Sequence, residues 1–121
     1  MHQGLQDGSW ERMTPLEQMG NLGTEVARAA RAKEAGDTTR CQGAFDRSLE
    51  LFELTIADDR WRGPRRRELC LVRELFIDYI AGDNTYRESA ASLDRYFLPF
   101  AIAARLEYEA RPLSAPLRQV D

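Results

Sequence analysis

Apolar residues recur along this chain at spacings of three and four, the period of an α-helix with one covered face. They do so in four stretches, separated by glycine, proline and aspartate. The first stretch opens at Thr14-Pro15-Leu16-Glu17. Thr14 can cap, Pro15 suits the first helical position and Glu17 completes a capping box. This predicts a helix over 14–35 that ends at a left-handed Gly36. Its inward stripe is Leu16, Met19, Leu22, Gly23, Val26, Ala27 and Ala30, and Gly20, Gly23, Ala27 and Ala30 make one edge unusually small. Interior glycines cost a helix about 1 kcal/mol each relative to alanine. Close approach of a neighbouring backbone offsets that cost, and packing is a simpler use of such a notch than a ligand.

Asp37 is a suitable cap for a second helix over 38–57, with Cys41, Phe45, Leu49, Phe52 and Ile56 on one face. The connection Asp58–Gly63 follows, its Trp61 expected to pack over the end of the bundle. Pro64 opens a third helix over 64–81, ended by the turn Gly82-Asp83-Asn84. Leu69, Val72, Phe76 and Ile80 share a face with Arg73, and this reads as the most buried element of the chain. A fourth helix over 89–110 carries a main stripe of Leu93, Phe97, Phe100, Ala104 and Tyr108. It carries a second one, Leu98, Ile102 and Leu106, on nearly the opposite face. Pro99 removes one of its hydrogen bonds and crowds the carbonyl of Arg95, which predicts a kink. Residues 1–13 and 111–121 are polar or proline-containing and read as loose ends. Met13 would serve as an alternative start.

Four helices with short connections and no period-two alternation predict an all-α, antiparallel four-helix bundle over 14–110. An isolated bundle has no use for a second apolar stripe on its last helix. Leu98, Ile102 and Leu106 are therefore the expected dimer interface of a homodimer. No apolar run approaches the roughly 20 residues that span a bilayer. The opening MHQGLQDGSWERM lacks a basic segment followed by an apolar one, so the cytoplasm is the expected compartment.

Composition changes this picture little. A 121-residue chain with 43% hydrophobic and 31% charged residues is long enough for one core. Its net charge of −3 argues against general nucleic-acid binding. Lys33 is the single lysine, so positive charge is almost all arginine. Arginine suits bidentate ion pairs and phosphates, although a GC-rich coding sequence produces the same bias. Cys41 and Cys70 have no CxxC or histidine spacing, which points to buried reduced thiols rather than a metal site.

Three places could carry chemistry. The basic turn, with Arg60, Arg62, Arg65, Arg66 and Arg67 around Trp61, has the ingredients of a nucleic-acid or anionic-ligand site, with Arg60, Arg62 and Arg66 the candidate ligands. Asp58, Asp59 and Glu68 offset much of its charge, and internal ion pairs are the simpler reading. Arg73, inside an apolar face, needs either a structural partner or an anionic ligand. Glu25, Glu50 and Glu107 are candidate partners, with Glu107 preferred. The third is a carboxylate set, Glu50, Glu53, Glu74 and Asp78. The all-α nucleoside triphosphate pyrophosphohydrolases bind magnesium through Glu-x-x-Glu on one helix and Glu-x-x-Asp on the next. Glu50 and Glu53 fit the first half, but Glu74 and Asp78 stand one residue too far apart. The single histidine, His2, precedes every arginine. That excludes the Glu-x-x-His pairs of di-iron bundles and the Arg-x4–6-His motif of HEPN-type ribonucleases. No catalytic residue is assigned, and no cofactor is expected unless Mg2+ serves that carboxylate set.

The stretches LTIADDRWRG, RRRELCLVRELFIDY, GDNTY and SLDRYFLPFAIAAR resemble a group of small prokaryotic all-helical proteins of unassigned function. The resemblance covers roughly residues 16–106 and carries no catalytic motif. It implies a compact helical domain that stands alone and supplies no reaction. The expected role is a structural or interaction module forming a homodimer.

Overall fold

The computed structural model describes residues 8–110. They form α1 (Pro15–Glu34), α2 (Thr38–Ile56), α3 (Pro64–Ala81) and α4 (Ala90–Glu109). The all-α bundle expected from the sequence is thus present, with no strand among the described residues. Each boundary lies within one residue of its expected place, because the caps were legible. Thr14 and Glu17 form the reciprocal capping box of α1. Asp37 accepts from the Arg40 amide at the start of α2. Ser89 and Ser92 cap α4 in the same reciprocal way. Gly36, at φ +75°, closes α1, with the Asp37 amide returning to the Ala32 carbonyl and the Gly36 amide to Lys33. Gly63 has φ 58° and ψ −130°, a conformation reserved for glycine, and this turns the chain into Pro64.

Neighbouring helices run antiparallel. Arg47 of α2 reaches Glu25 of α1 at 3.3 Å, Asp94 of α4 reaches Arg31 of α1 at 3.2 Å, and Tyr96 of α4 donates to Glu68 of α3 at 3.2 Å. The centre of the bundle is α1, which lies closest to both α2 and α4. It buries eight residues against four on α3. This corrects the expectation that α3 is the most buried element. Burial follows the number of covered sides, and the small residues of α1 let two neighbours approach at once. A Cβ built on Gly23 would lie 2.8 Å from the Phe97 Cβ, so α4 packs directly against the α1 backbone there. By contrast, α3 meets α2 across full-sized rings. Phe76 lies 5.5 Å from Phe45 and 5.9 Å from Phe52, centroid to centroid.

On α2 the covered face is Ala44, Phe45, Ser48, Leu51, Phe52 and Thr55, while Cys41, Leu49 and Ile56 are only half-buried. Ser48 and Thr55 tolerate burial because each hydroxyl donates to the carbonyl four residues back, at 2.8 and 2.7 Å. Hydrophobic periodicity cannot register such residues. The loose N-terminal segment expected over 1–13 is also revised where it is described. Residues 8–13 form a turn that seats Trp10 in the core at 1% exposure. The expected tail, 111–121, lies outside the described residues.

Candidate functional site

The most elaborate polar arrangement closes the end of the bundle where the 8–13 turn, the start of α1 and the α2–α3 connection meet. Gln18 on α1 is fully buried. Its amide nitrogen donates to the Trp10 carbonyl at 3.0 Å and to Asp58 Oδ2 at 2.9 Å. Its amide oxygen accepts from Trp61 Nε1 at 3.0 Å. Trp10 Nε1 donates to Thr55 Oγ1 at 3.0 Å. Both indoles and the amide are thus satisfied away from water, as burial requires. Asp58 is the hub. It accepts from Gln18, from the Arg60 amide at 2.9 Å, and from the Arg60 guanidinium at 2.7 and 3.1 Å. These donors hold its carboxyl well below the usual carboxylate range, the Arg60 side chain contributing most, against burial acting the other way.

The basic turn is therefore tied to the protein through Arg60 and Arg66, while Arg62, Arg65 and Arg67 stay exposed. Arg60 also donates to the Glu11 carbonyl at 3.0 Å and the Met13 carbonyl at 2.8 Å, clamping the N-terminal turn to the bundle. Asp58 in turn raises the Arg60 pKa. Arg62 donates to the Asp59 carbonyl at 2.7 Å. Arg66 donates to the Asp58 carbonyl at 3.2 Å, and its Nε is buried with no acceptor. Arg65 stacks over Phe100, 5.7 Å from the ring centroid. Of the sequence-proposed anion ligands, Arg60 and Arg66 are occupied by protein oxygens, and Arg62 is tied to its own turn. Of this constellation the sequence reading anticipated Trp61 and an Asp58 ion pair. It missed Trp10, Gln18 and Thr55. One signal for Gln18 was present, its position four residues before Leu22 on the covered face.

Arg73 is half-buried rather than enclosed. It lines a shallow depression between α2 and α3 with Glu53, Ile56, Ala57, Cys70 and Glu74. The preferred partner, Glu107, is exposed on the last turns of α4, and no ion pair among the described residues joins the two. Glu25 is engaged instead by Arg28 at 2.8 Å and Arg47 at 3.3 Å. Glu53 and Glu74 share the depression, but Asp78, in the last turn of α3, directs its carboxylate to the following loop, where it accepts from the Tyr86 amide at 3.3 Å. Among the described residues no three His, Cys, Asp or Glu side chains stand close enough to hold a metal ion. Glu50, Glu53, Glu74 and Asp78 therefore do not assemble the cluster that magnesium chemistry needs. Four-residue spacing on α3 aligned two carboxylates along one helix, but it could not bring both to α2. The cysteines are both free, but neither is buried as expected: Cys41 is half-buried and Cys70 exposed.

A second polar clasp closes the opposite end. Glu34 Oε2 accepts from the Tyr79 hydroxyl at 2.9 Å and the Ala90 amide at 3.0 Å, joining the ends of α1 and α3 to the start of α4. Those two bonds lower the Glu34 pKa. Burial and the neighbouring Glu34 carboxylate push the Tyr79 phenol up to about 12. Lys33 sits over the Tyr79 ring, 5.4 Å from its centroid. Apart from Arg66 Nε, the polar groups of both clasps are bonded within the protein.

What remains is α4. Its buried residues are Ala90, Leu93 and Phe97, all in its first half. Beyond Phe100, which meets Arg65 near the start of α3, no α4 side chain is buried. The expected interface residues are exposed in the single chain: Leu98 by 56%, Ile102 by 50% and Leu106 by 61%. Beside them, α1 and α4 enclose a largely apolar groove of about 420 Å³. Gly20, Gly23, Phe97, Leu98 and Ala101 line it, and the Arg31–Asp94 pair stands at its edge. Among the described residues no helix is long and apolar enough to cross a membrane. Comparisons with family models, curated proteins and solved structures find no match.

Proposed function

We propose that this chain is a small helical interaction module that forms a homodimer through the outer face of α4. The observation that carries the reading is the exposure of Leu98, Ile102 and Leu106, successive residues of one i, i+4 row. Scattered surface leucines need no explanation, but a contiguous apolar row on a helix that packs into the bundle through its first half does. Full burial of such a side chain is worth about 1.5–3 kcal/mol, so covering what these three expose gains on the order of 1 kcal/mol each. That is modest beside the roughly 4–15 kcal/mol cost of association. Six such side chains in a pair gain about 6 kcal/mol, which only offsets the lower end of that cost. A weak, reversible dimer is therefore expected, with a dissociation constant toward the millimolar range.

Sedimentation equilibrium from about 1 µM to about 1 mM tests this. A monomer–dimer equilibrium that Ile102→Ser abolishes is the expected result. A wild-type chain that remains monomeric up to the highest concentration overturns the proposal. The reading of the basic turn as an anion site draws less support, because Arg60 and Arg66 already donate to protein oxygens.

A further inference from the structure

The outer face of α4 has a charge pattern as well as an apolar row. Arg95 lies seven residues before Ile102 and Glu109 seven after it, while Leu98 and Leu106 lie four before and four after. At about 100° per residue these five positions fall within roughly 80° of the helix circumference. All five are exposed. The stripe therefore reads Arg, Leu, Ile, Leu, Glu, with apolar residues symmetric about Ile102 and opposite charges at its ends.

Resting on the homodimer reading above, we infer that two copies pair through α4 in antiparallel register, with the two-fold axis at Ile102. In that register Leu98 packs on Leu106 of the partner subunit, and Ile102 meets the partner's Ile102. Arg95 faces Glu109 of the partner subunit at both ends, since an isologous contact repeats every pair. A parallel pair would instead set Arg95 against the partner's Arg95 and Glu109 against the partner's Glu109, and like charges in contact disfavour association. The charges stand about 10 Å from the axis at 1.5 Å per residue. A shallow helix crossing of about 20° keeps them within reach of an arginine side chain.

Nothing among the described residues prevents this pairing. The one ion pair on the face, Arg105 to Glu109 at 3.1 Å, is exposed on both sides, and a carboxylate accepts from two guanidinium groups at once. No ion pair among the described residues engages Arg95. The antiparallel arrangement also brings the α1–α4 groove beside Leu98 next to the partner's α4, which lengthens the covered surface.

Charge reversal tests the register. Arg95→Glu and Glu109→Arg each turn two attractive contacts into repulsive ones, so each is expected to weaken dimerisation by about tenfold. The double variant restores opposite charges at both ends and is expected to recover wild-type affinity to within about threefold. In a Cys70→Ser background, Ile102→Cys is expected to cross-link to itself under oxidation and Leu98→Cys is not. Both exposed charges are remote from the core, and thermal melts of the variants check that the fold is unchanged. Single reversals that dimerise as tightly as the wild type, or a double variant weaker than either, overturn the register while leaving the dimer itself intact. A wild-type monomer at every concentration overturns the homodimer reading and the register with it.

Discussion

The helices α1 and α4 run twenty residues each and lie against one another. Both carry several alanines, but only α1 has interior glycines, and α4 adds three leucines, one isoleucine and four aromatic residues. Yet α1 buries eight side chains and α4 three. The helix with the larger apolar side chains hides fewer of them. Small residues bury well because they let backbones close in from two sides, as Gly23 lets α4 do. Large residues bury only where a neighbour happens to lie, and among the described residues none covers the outer face of the second half of α4. The difference separates apolar content that builds the fold from apolar content left outside it. The second kind is what the homodimer proposal rests on.

The largest expected effects come from cutting the network that anchors the start of α1. Trp10→Ala removes a buried indole and its hydrogen bond to Thr55. A loss of about 3–5 kcal/mol of stability is expected, read in urea unfolding at pH 7. A loss below 1 kcal/mol would mean that the 8–13 turn is an ornament on the bundle. Asp58→Ala is next, at about 2 kcal/mol, because it takes an acceptor from the buried Gln18 amide, while the Arg60 guanidinium, 41% exposed, keeps water and the Glu11 and Met13 carbonyls. The carboxylate also gives a pH signature. Its folded pKa lies below the ordinary value of 3.8, so its contribution is fully present above that value. It is eroded as pH falls below 3.8 and lost as pH passes through the folded pKa. Asp58→Asn should therefore flatten the stability profile between neutral pH and the acid limb. An unchanged acid slope in that variant would assign the acid limb to other carboxylates.

These two regions were not equally legible in the sequence. The helices and their ends were, because Thr14, Pro15, Gly36, Asp37 and Pro64 act through local backbone chemistry that the chain displays residue by residue. The stripe on α4 was legible for the same reason, since a helical period places Leu98, Ile102 and Leu106 opposite Phe97 whatever the rest of the fold does. The network around Gln18 was not. Its partners come from positions 10, 55, 58 and 61, and only the packing of three segments brings them together. Arg73 was misread because periodicity gives direction around a helix axis but not whether a neighbour covers that direction. The carboxylates failed likewise, since matching spacing on two helices says nothing about the offset between them.

The glycines of α1 sharpen the comparison from the side of the buried helix, with smaller effects of opposite sign. At Gly23 an alanine Cβ meets the Phe97 Cβ at 2.8 Å and its Cγ at 3.0 Å. Phe97 is itself only 4% exposed, so its ring has no room to swing away. Overpacking costs about 1–3 kcal/mol and outweighs the roughly 1 kcal/mol gain in helix propensity. Gly23→Ala is expected to destabilise by about 1 kcal/mol. Gly20 has no atom within 4 Å of such a Cβ, so Gly20→Ala keeps the propensity gain and stabilises by about 0.5–1 kcal/mol. Thermal melts should move in opposite directions, by about 4–8 °C for each kcal/mol in a domain of this size. If both variants were stabilised, the close approach of α1 and α4 would not hold in solution.

The smallest effect on stability is expected where the most apolar area is on display. Leu106→Gln and Ile102→Ser change side chains that are 61% and 50% exposed, and surface substitutions of this kind stay within about 0.5 kcal/mol. Measured at protein concentrations below the dimer's dissociation constant, both variants should unfold within that margin of the wild type. Leu22, the same chemistry on α1, is fully buried, and Leu22→Ala should cost about 2–5 kcal/mol. The contrast becomes informative as concentration rises. Association stabilises the folded chain by mass action, so the wild-type melting temperature should climb with concentration while those of the two α4 variants stay level. Leu22→Ala should keep the wild-type concentration dependence from a lower starting point, because its cavity lies away from the interface. A stability loss of 2 kcal/mol or more in Leu106→Gln at low concentration would break the comparison at its root. It would mean that the outer half of α4 is covered by this chain itself, and that its stripe belongs to the core.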